Sequence, residues 1–233
     1  MSIFKSLTTT GIEQAKDSLG ESKFAPLDSG VYETKIKLAY AGKSEGGASS
    51  VTFIFDLGTR EYTETLYVTN RNGVNYYEKD GKKFPLPGFT TVDDLCLVAS
   101  GAPLAEQETE EKVIQSYDFE AKKDMPKRVP VLMALLNKPV TIAIKKTFVN
   151  KKTEDANGNY VDIADSREEN NIAKVFQTET RLTVLETQNN ATEAVFHDAW
   201  AEKNTGKTSD KRKIKEDGAK TSSTSTARKS LFS

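Results

Sequence analysis

Alternation of apolar and polar residues with a period of two predicts a series of β-strands in the first third of the chain. The pattern runs from Gly30 to Tyr40, returns from Val51 to Leu57, and appears a third time from Glu61 to Thr69, where Tyr67 faces away from the other large residues. Such a period places successive side chains on opposite faces of a half-buried sheet. Short turns separate the three runs, so we predict an antiparallel meander.

A hairpin and a helix are predicted next. Asp80-Gly81 stands between Tyr76-Tyr77 and Lys82-Lys83-Phe84, and Asp-Gly between such segments is typical of a two-residue β-hairpin turn. After two prolines, Thr90 or Thr91 is placed to cap a helix that contains Cys96 and ends at Gly101.

The second half of the chain mixes charged stretches with apolar runs. Residues 103–124 are strongly charged, and residues 129–136 fit either a helix or a strand, with Pro130 favouring the first turn of a helix. For the rest, the pattern predicts a strand at 139–149, a helix or strand at 170–176, a last strand at 180–186, and a helix at 191–202 that docks through Val195, Ala199 and either Trp200 or Phe196. Five or so strands with short helices fit a mainly β, α+β fold, a small barrel with elaborate loops.

Charge divides the chain into parts. Residues 203–233 hold 9 basic and 3 acidic residues, a net charge of +6, whereas residues 1–202 carry −7. The last segment has only Leu231 and Phe232 as large apolar residues near its end, so it buries too little to order itself. We predict an N-terminal arm (1–29), a folded domain (30–202) and a flexible basic tail (203–233).

Several function classes find no support in the composition. The longest uninterrupted apolar run, Val129 to Leu136, is far shorter than the roughly 20 residues that span a bilayer, and the N-terminus lacks the apolar core of a secretory signal. We therefore expect a protein of the cytoplasm, that of the host cell if a phage encodes it. A single cysteine (Cys96) and a single histidine (His197, beside Asp198) argue against a zinc site and against Ser-His or Cys-His catalysis. We expect no metal, no cofactor and no enzyme, although a nuclease with scattered carboxylates stays open as a third alternative.

The most informative chemistry lies between Tyr67 and Phe89, where rings, cations and amide side chains are interleaved. Single-stranded nucleic acid is bound by this mixture, because rings stack on exposed bases while cations follow the phosphates. The alternative is that Tyr67, Tyr76 and Phe84 are cross-strand packing pairs and the lysines only keep a hairpin soluble. The pattern alone leaves both interpretations open.

Two pairs of lysines extend this hypothesis. Lys35 and Lys37 share the polar face of the first strand, and Lys145 and Lys146 lie at the end of a later one. If the sheet closes into a barrel, both pairs could border one groove. Charged residues also occupy solvated strand faces without any ligand, so this too stays open.

Taken together, these residues resemble the single-stranded DNA-binding proteins of lytic tailed bacteriophages. The resemblance is carried by the opening Met1–Leu7, by the segments 29–40, 67–77 and 82–89, and by Arg167–Ile172. It implies a five-stranded, antiparallel oligonucleotide-binding (OB) fold that coats transient single strands during phage DNA replication and recombination without catalysing a reaction. The residues that it assigns to DNA are Lys35, Lys37, Tyr67, Arg71, Tyr76, Tyr77, Lys82, Lys83, Lys145 and Lys146.

The end of the chain departs from this class, whose members often finish in an acidic tail with an apolar tip that recruits replication or recombination proteins. Here Leu231 and Phe232 follow two basic residues. The tip is expected to dock a partner while the tail lysines add weak DNA affinity.

A rival interpretation assigns the chain to a different class. A β-rich phage structural or assembly protein could use its basic tail to engage DNA or a protein partner, and the strand pattern is compatible with it. The two hypotheses differ in where affinity for nucleic acid lies, in the tail or in the folded domain. The oligomeric state does not follow from the sequence.

Overall fold

The computed structural model describes residues 25–118, 121–156 and 158–214 of the 233-residue chain. The strands are β1 (Gly30–Lys43), β2 (Ser49–Asp56), β3 (Glu61–Tyr67), β4 (Tyr76–Lys79), β5 (Lys82–Pro85), β6 (Thr109–Asp118), β7 (Lys123–Leu132), β8 (Pro139–Glu154), β9 (Tyr160–Phe176) and β10 (Thr208–Asp210). The α-helices are α1 (Pro87–Ser100), α2 (Val184–Gln188) and α3 (Val195–Asn204). The fold is mainly β with a few short helices, as the pattern predicted, and no helix among the described residues is long and apolar enough to cross a membrane.

The predicted meander is present as β1, β2 and β3, all antiparallel. A β-bulge at Lys37 interrupts β1, since Ile36 faces Phe55 whereas Leu38 faces Ile54. An extra residue in one strand reverses which face later residues occupy. Ala39 is therefore buried in the core, while Leu38 turns to the other face of the sheet.

The long strands β8 and β9 continue the sheet on the other side of β1. The first half of β1 pairs with β8, and β8 pairs with β9 over almost its whole length. A five-stranded barrel was predicted, but the sheet does not close: eight strands share it, and β4 and β5 form a separate hairpin. Between β3 and β9 the contact is a side-chain hydrogen bond, in which the Ile172 N–H donates to the Glu64 carboxylate at 2.9 Å.

The main core lies between this curved sheet and α1. It is built on Phe53 and Phe55 of β2, whose rings stack at 5.5 Å, and on Leu95 and Cys96 of the helix. Cys96 is fully buried, and burial raises the pKa of its thiol to about 12. An inert, packed thiol is the result.

Helix α1 begins earlier than the sequence indicated. Its first residue is Pro87, whose missing N–H costs nothing in a first helical turn, and neither Thr90 nor Thr91 caps it. The predicted end is confirmed, because Gly101 adopts a left-handed conformation (φ 78°) that terminates the helix.

Two other segments differ from the prediction. Residues 180–186 form no strand: Thr183 and Glu186 make a reciprocal capping box that starts α2. Residues 129–136 form the end of β7 and a 3₁₀ turn, Met133–Leu135. In the charged region, β6 and β7 build a long hairpin that reaches β1 at Tyr40 opposite Val131.

Part of the predicted tail lies in the sheet. Residues 205–214, here called the C-terminal strap, follow α3 along the edge of β8 that β1 leaves free, and β10 pairs there in parallel with residues 146–148. The Ser29 hydroxyl donates to the Lys207 carbonyl at 2.5 Å, and the Lys211 N–H donates to the Phe148 carbonyl at 2.9 Å. The folded part of the chain thus extends past the boundary predicted at Lys203.

Candidate nucleic-acid interface

The outer face of β1, β2 and β3, on the side away from the core, is a surface of hydroxyl, aromatic and aliphatic side chains. Directly opposed residues in neighbouring strands share a face, so the register fixes its composition. Thr52 and Thr65 join their hydroxyls at 2.9 Å near its centre. Around them lie Leu38, Tyr40, Ile54, Thr63 and Tyr67.

Tyr67 stands at one end of this face, and its position is set by α1. A Cβ at position 88 would collide with the Tyr67 carbonyl, so the glycine there lets the start of the helix lie directly on the end of β3. The Tyr67 side chain points away from the helix and is 52% exposed. A rigid backbone therefore presents this ring to solvent.

The hairpin β4–β5 projects beyond Tyr67. Asp80 and Gly81 both have positive φ (52° and 71°), the conformation that a type I′ turn requires. The hairpin stacks Tyr77 on Phe84, with ring centroids 5.6 Å apart and planes at 25°. Both rings stay well exposed, at 47% and 39%. Cross-strand packing and an accessible aromatic surface thus occur together in one pair.

Cations occur on both faces of this hairpin, because side chains alternate along each strand. Lys79 and Lys82 share a face with the Tyr77–Phe84 pair, whereas Tyr76 and Lys83 lie on the opposite face, where Glu78 stands directly across from Lys83. Lys83 places its ammonium 4.4 Å from the centre of the Tyr76 ring. The others are Arg71 in the turn after β3, and Lys79 and Lys82 at the hairpin tip; all of them are exposed. Within the described residues none of these four side chains is in an ion pair. We call these cations and the rings of Tyr67, Tyr76, Tyr77 and Phe84 the aromatic–basic patch.

Lys35 and Lys37 lie at the opposite end of the outer face. Lys35 pairs with Asp56, which in turn pairs with Glu61 at the start of β3. Glu61 is six residues from Tyr67 along this strand, about 20 Å at 3.3 Å per residue. Lys37 is ion-paired with Glu61, and this hydrogen bond raises the pKa of its ammonium. Lys35 faces Asp56 across the strands.

Lys145 and Lys146 are adjacent in β8 and so point to opposite faces of the sheet. Lys146 is bound by two carboxylates, Glu168 at 3.0 Å and Asp28 at 3.5 Å, and the hydrogen bond with Glu168 raises the pKa of its ammonium. Lys145 instead lines a crevice under α3. The structure does not bring the four lysines of β1 and β8 into one groove with the aromatic–basic patch.

The hairpin β6–β7 was not predicted from the sequence. Through the pair Tyr40–Val131, one face of this hairpin continues the outer face, and it carries Lys112 and Lys127. Lys112 is ion-paired with Glu110 at 2.7 Å. Near the tip, Tyr117 is 53% exposed. The signal was present in the β-branched and aromatic residues of this otherwise acidic stretch.

Other candidate chemistry is limited. Within the described part of the chain, no three His, Cys, Asp or Glu side chains come together as a metal site. The His197 Nδ1 lies 2.8 Å from the Asp198 carboxylate, which accepts the hydrogen bond, and the His197 ring meets the Phe176 ring edge-on at 5.1 Å. The predicted partner-binding tip, Leu231 and Phe232, lies outside the described residues.

No model of a known protein family matches the chain, and no curated protein matches it significantly.

Proposed function

We propose that this protein binds single-stranded DNA without sequence preference, and that it coats and protects transient single strands during phage DNA replication and recombination. The observation that carries the proposal is the exposed Tyr77–Phe84 pair, whose face of the hairpin also carries Lys79 and Lys82, neither of them in an ion pair among the described residues. Exposed rings stack on bases at about 1–3 kcal/mol per base, whatever the base, and unpaired cations are available to phosphates.

The arrangement of strands supports an OB-like architecture as part of this proposal. Five strands follow the order β3-β2-β1-β8-β9, and α1 comes between the third and the fourth of them in the chain. An OB fold is a partly open barrel of five strands that binds oligonucleotides on the face of its second and third strands. The corresponding face here is the outer face of β2 and β3, which ends at the aromatic–basic patch.

The test is a fluorescence-anisotropy titration of the full-length chain with labelled oligo-dT and with a matched duplex. We expect preference for the single strand, because only unpaired bases can stack on rings. Tyr77→Leu keeps an apolar partner for Phe84 but removes the ring, and it should weaken binding by about 1–3 kcal/mol. Tyr77→Phe keeps the ring and should bind like the parent. Equal affinity in all three proteins would move the site away from the hairpin.

The rival function, a structural or assembly protein that binds through its tail, is tested with the same assay. A truncation at residue 202 is unsuitable, because it removes the C-terminal strap from the edge of β8. The better variant replaces Lys215, Lys220, Arg228 and Lys229 by Gln in the full chain. Loss of DNA binding in this variant, with the Tyr77 variants unaffected, would favour the rival.

A further inference from the structure

A crevice lies between α3 and β8, away from the aromatic–basic patch. One face of the helix supplies Phe196, Ala199, Trp200, Lys203 and Asn204, which recur at the three- and four-residue spacing of a helix face. Lys145 of β8 completes the lining, and the volume is about 320 Å³. No residue of α3 is buried, so the side chains on this face of the helix remain at least partly accessible to solvent.

Contacts at both ends of α3 make the crevice a fixed feature. At the start, the Phe196 N–H donates to the Glu186 carboxylate at 2.9 Å, and the Phe196 ring lies 6.3 Å from the Phe176 ring. After the helix, the Gly206 N–H donates to the Ser29 carbonyl at 2.8 Å. The open space is therefore held by the fold and does not reflect a loosely attached helix.

The lining combines rings with positive charge. Lys145 and Lys203 are its two cations, it contains no carboxylate, and neither lysine is in an ion pair among the described residues. Beside the crevice, the Lys207 ammonium donates to the Lys203 carbonyl at 2.7 Å, which adds a third cation at the end of the helix. An aromatic face next to two unpaired ammonium groups is complementary to a base attached to a phosphate.

We propose that this crevice binds one nucleotide unit of a single strand, with the base against the Trp200 indole and the phosphate between Lys145 and Lys203. The inference rests on the proposed function, and it adds a second contact for the strand, formed by α3 and β8. Charge complementarity selects this occupant over an apolar peptide, which would leave both ammonium groups without a counter-charge.

Trp200 is the only tryptophan in the chain, so its emission reports on the crevice directly. The full-length protein is titrated with unlabelled oligo-dT while emission is recorded, and binding is followed separately by the anisotropy of a labelled strand. We expect quenching that saturates at the same DNA concentration as the anisotropy signal. Saturated anisotropy with unchanged emission would overturn the inference and leave the proposed function standing. No anisotropy change at all would remove both.

Substitutions give a second, independent readout. Lys203→Gln and Lys145→Gln should each make the slope of log K against log salt shallower by about 0.7. Trp200→Leu should weaken binding roughly 5- to 150-fold, the effect of losing one stacked base, whereas Trp200→Phe should retain most of the affinity. Lys138→Gln removes an exposed charge outside the crevice and serves as the control.

Thermal melting separates binding from folding in these variants. If Lys145→Gln does not fold, Lys203→Gln still decides the question, because position 203 is exposed on the helix. Parental affinity and parental salt slope in Lys203→Gln, together with parental affinity in Trp200→Leu, would show that the crevice takes no nucleotide.

Discussion

At the scale of single residues, Asn150 is the side chain that fastens the C-terminal strap to β8. It is only 7% exposed, and its carbonyl oxygen accepts from the N–H groups of Lys213 (2.6 Å) and Ile214 (3.0 Å). Its amide donates to the carbonyls of Ile163 and Ile214 at 2.8 and 2.7 Å. All four hydrogen-bonding positions of the amide are thus used, three of them by the strap.

Asn150→Ala should release the strap. The substitution leaves two backbone N–H groups without their acceptor, a loss worth about 1–3 kcal/mol where such groups are buried. Hydrogen exchange measured by mass spectrometry should show faster exchange over residues 205–214, with β1 and β2 unchanged. Asn159→Ala, in an exposed turn, is the control. Unchanged protection of Lys213 and Ile214 would mean that the β10 pairing alone holds the strap.

At the scale of elements, the gap between β3 and β9 is bridged by one partly buried carboxylate. Glu64 points inward from β3, and its Oε2 accepts from the Ile172 N–H at 2.9 Å and from the Tyr62 hydroxyl at 2.6 Å. Burial raises the pKa of Glu64 above its ordinary value of 4.5, and the negative charge of Glu169 adds to the rise, while both hydrogen bonds oppose it. The sheet is therefore joined here by a group whose charge is costly.

The stability of the fold should depend on pH through Glu64. A carboxyl whose pKa is raised by folding stabilises the folded state below its unfolded pKa, and this contribution is lost as the pH rises through the folded value. Glu64→Gln keeps an acceptor for Ile172 and carries no charge. The melting temperature of the variant relative to the parent should therefore rise between about pH 4 and about pH 8. A difference that stays constant across this range would contradict the assignment. Glu45→Gln, at an exposed carboxylate that is in no ion pair among the described residues, tests for a general effect of surface charge.

At the scale of the whole molecule, ion pairing determines which of the many cations remain available to contact phosphates. Lys37 and Lys146 meet carboxylates, whereas Arg71, Lys79, Lys82 and Lys83 meet none among the described residues. Five of the nine basic residues assigned to the tail, Lys203, Lys207, Lys211, Arg212 and Lys213, belong to the described structure. A division into an acidic body and a basic tail therefore does not follow the fold.

The salt dependence of DNA binding should distinguish the ion-paired cations from those in no ion pair. The four cations of the aromatic–basic patch are expected to contribute about −3 to the slope of log K against log salt for a single strand, at roughly 0.7 per phosphate neutralised, and the two lysines of the α3 crevice would add about −1.4. Lys79→Gln and Lys82→Gln should each reduce this slope, since each removes a charge that shares a face with the Tyr77–Phe84 rings and is in no ion pair among the described residues. Lys37→Gln should leave it unchanged, because the ammonium already has Glu61 as its counter-ion. Anisotropy titrations at several salt concentrations give the slopes, and an equal effect of all three substitutions would refute the assignment.

Features that depend only on residues a few positions apart follow from the amino-acid sequence alone. The strand alternation in residues 30–69, the tight hairpin turn at Asp80-Gly81 and the end of α1 at Gly101 could all be predicted, because each depends on neighbours only a few positions away. The capping box of Thr183 and Glu186 was equally local, and it outweighs the weak alternation that suggested a strand at 180–186.

Features that depend on strand register and on long-range contacts arise only when the chain folds, and local sequence patterns do not predict them. The bulge at Lys37 reverses the faces of β1, and the period of the sequence does not reveal it. Lys146 meets Asp28 across more than a hundred residues, and the strap finds its edge on β8. A charge pattern shows how many lysines a chain has, but which of them remain unpaired depends on the carboxylates that folding brings within a few ångströms of each.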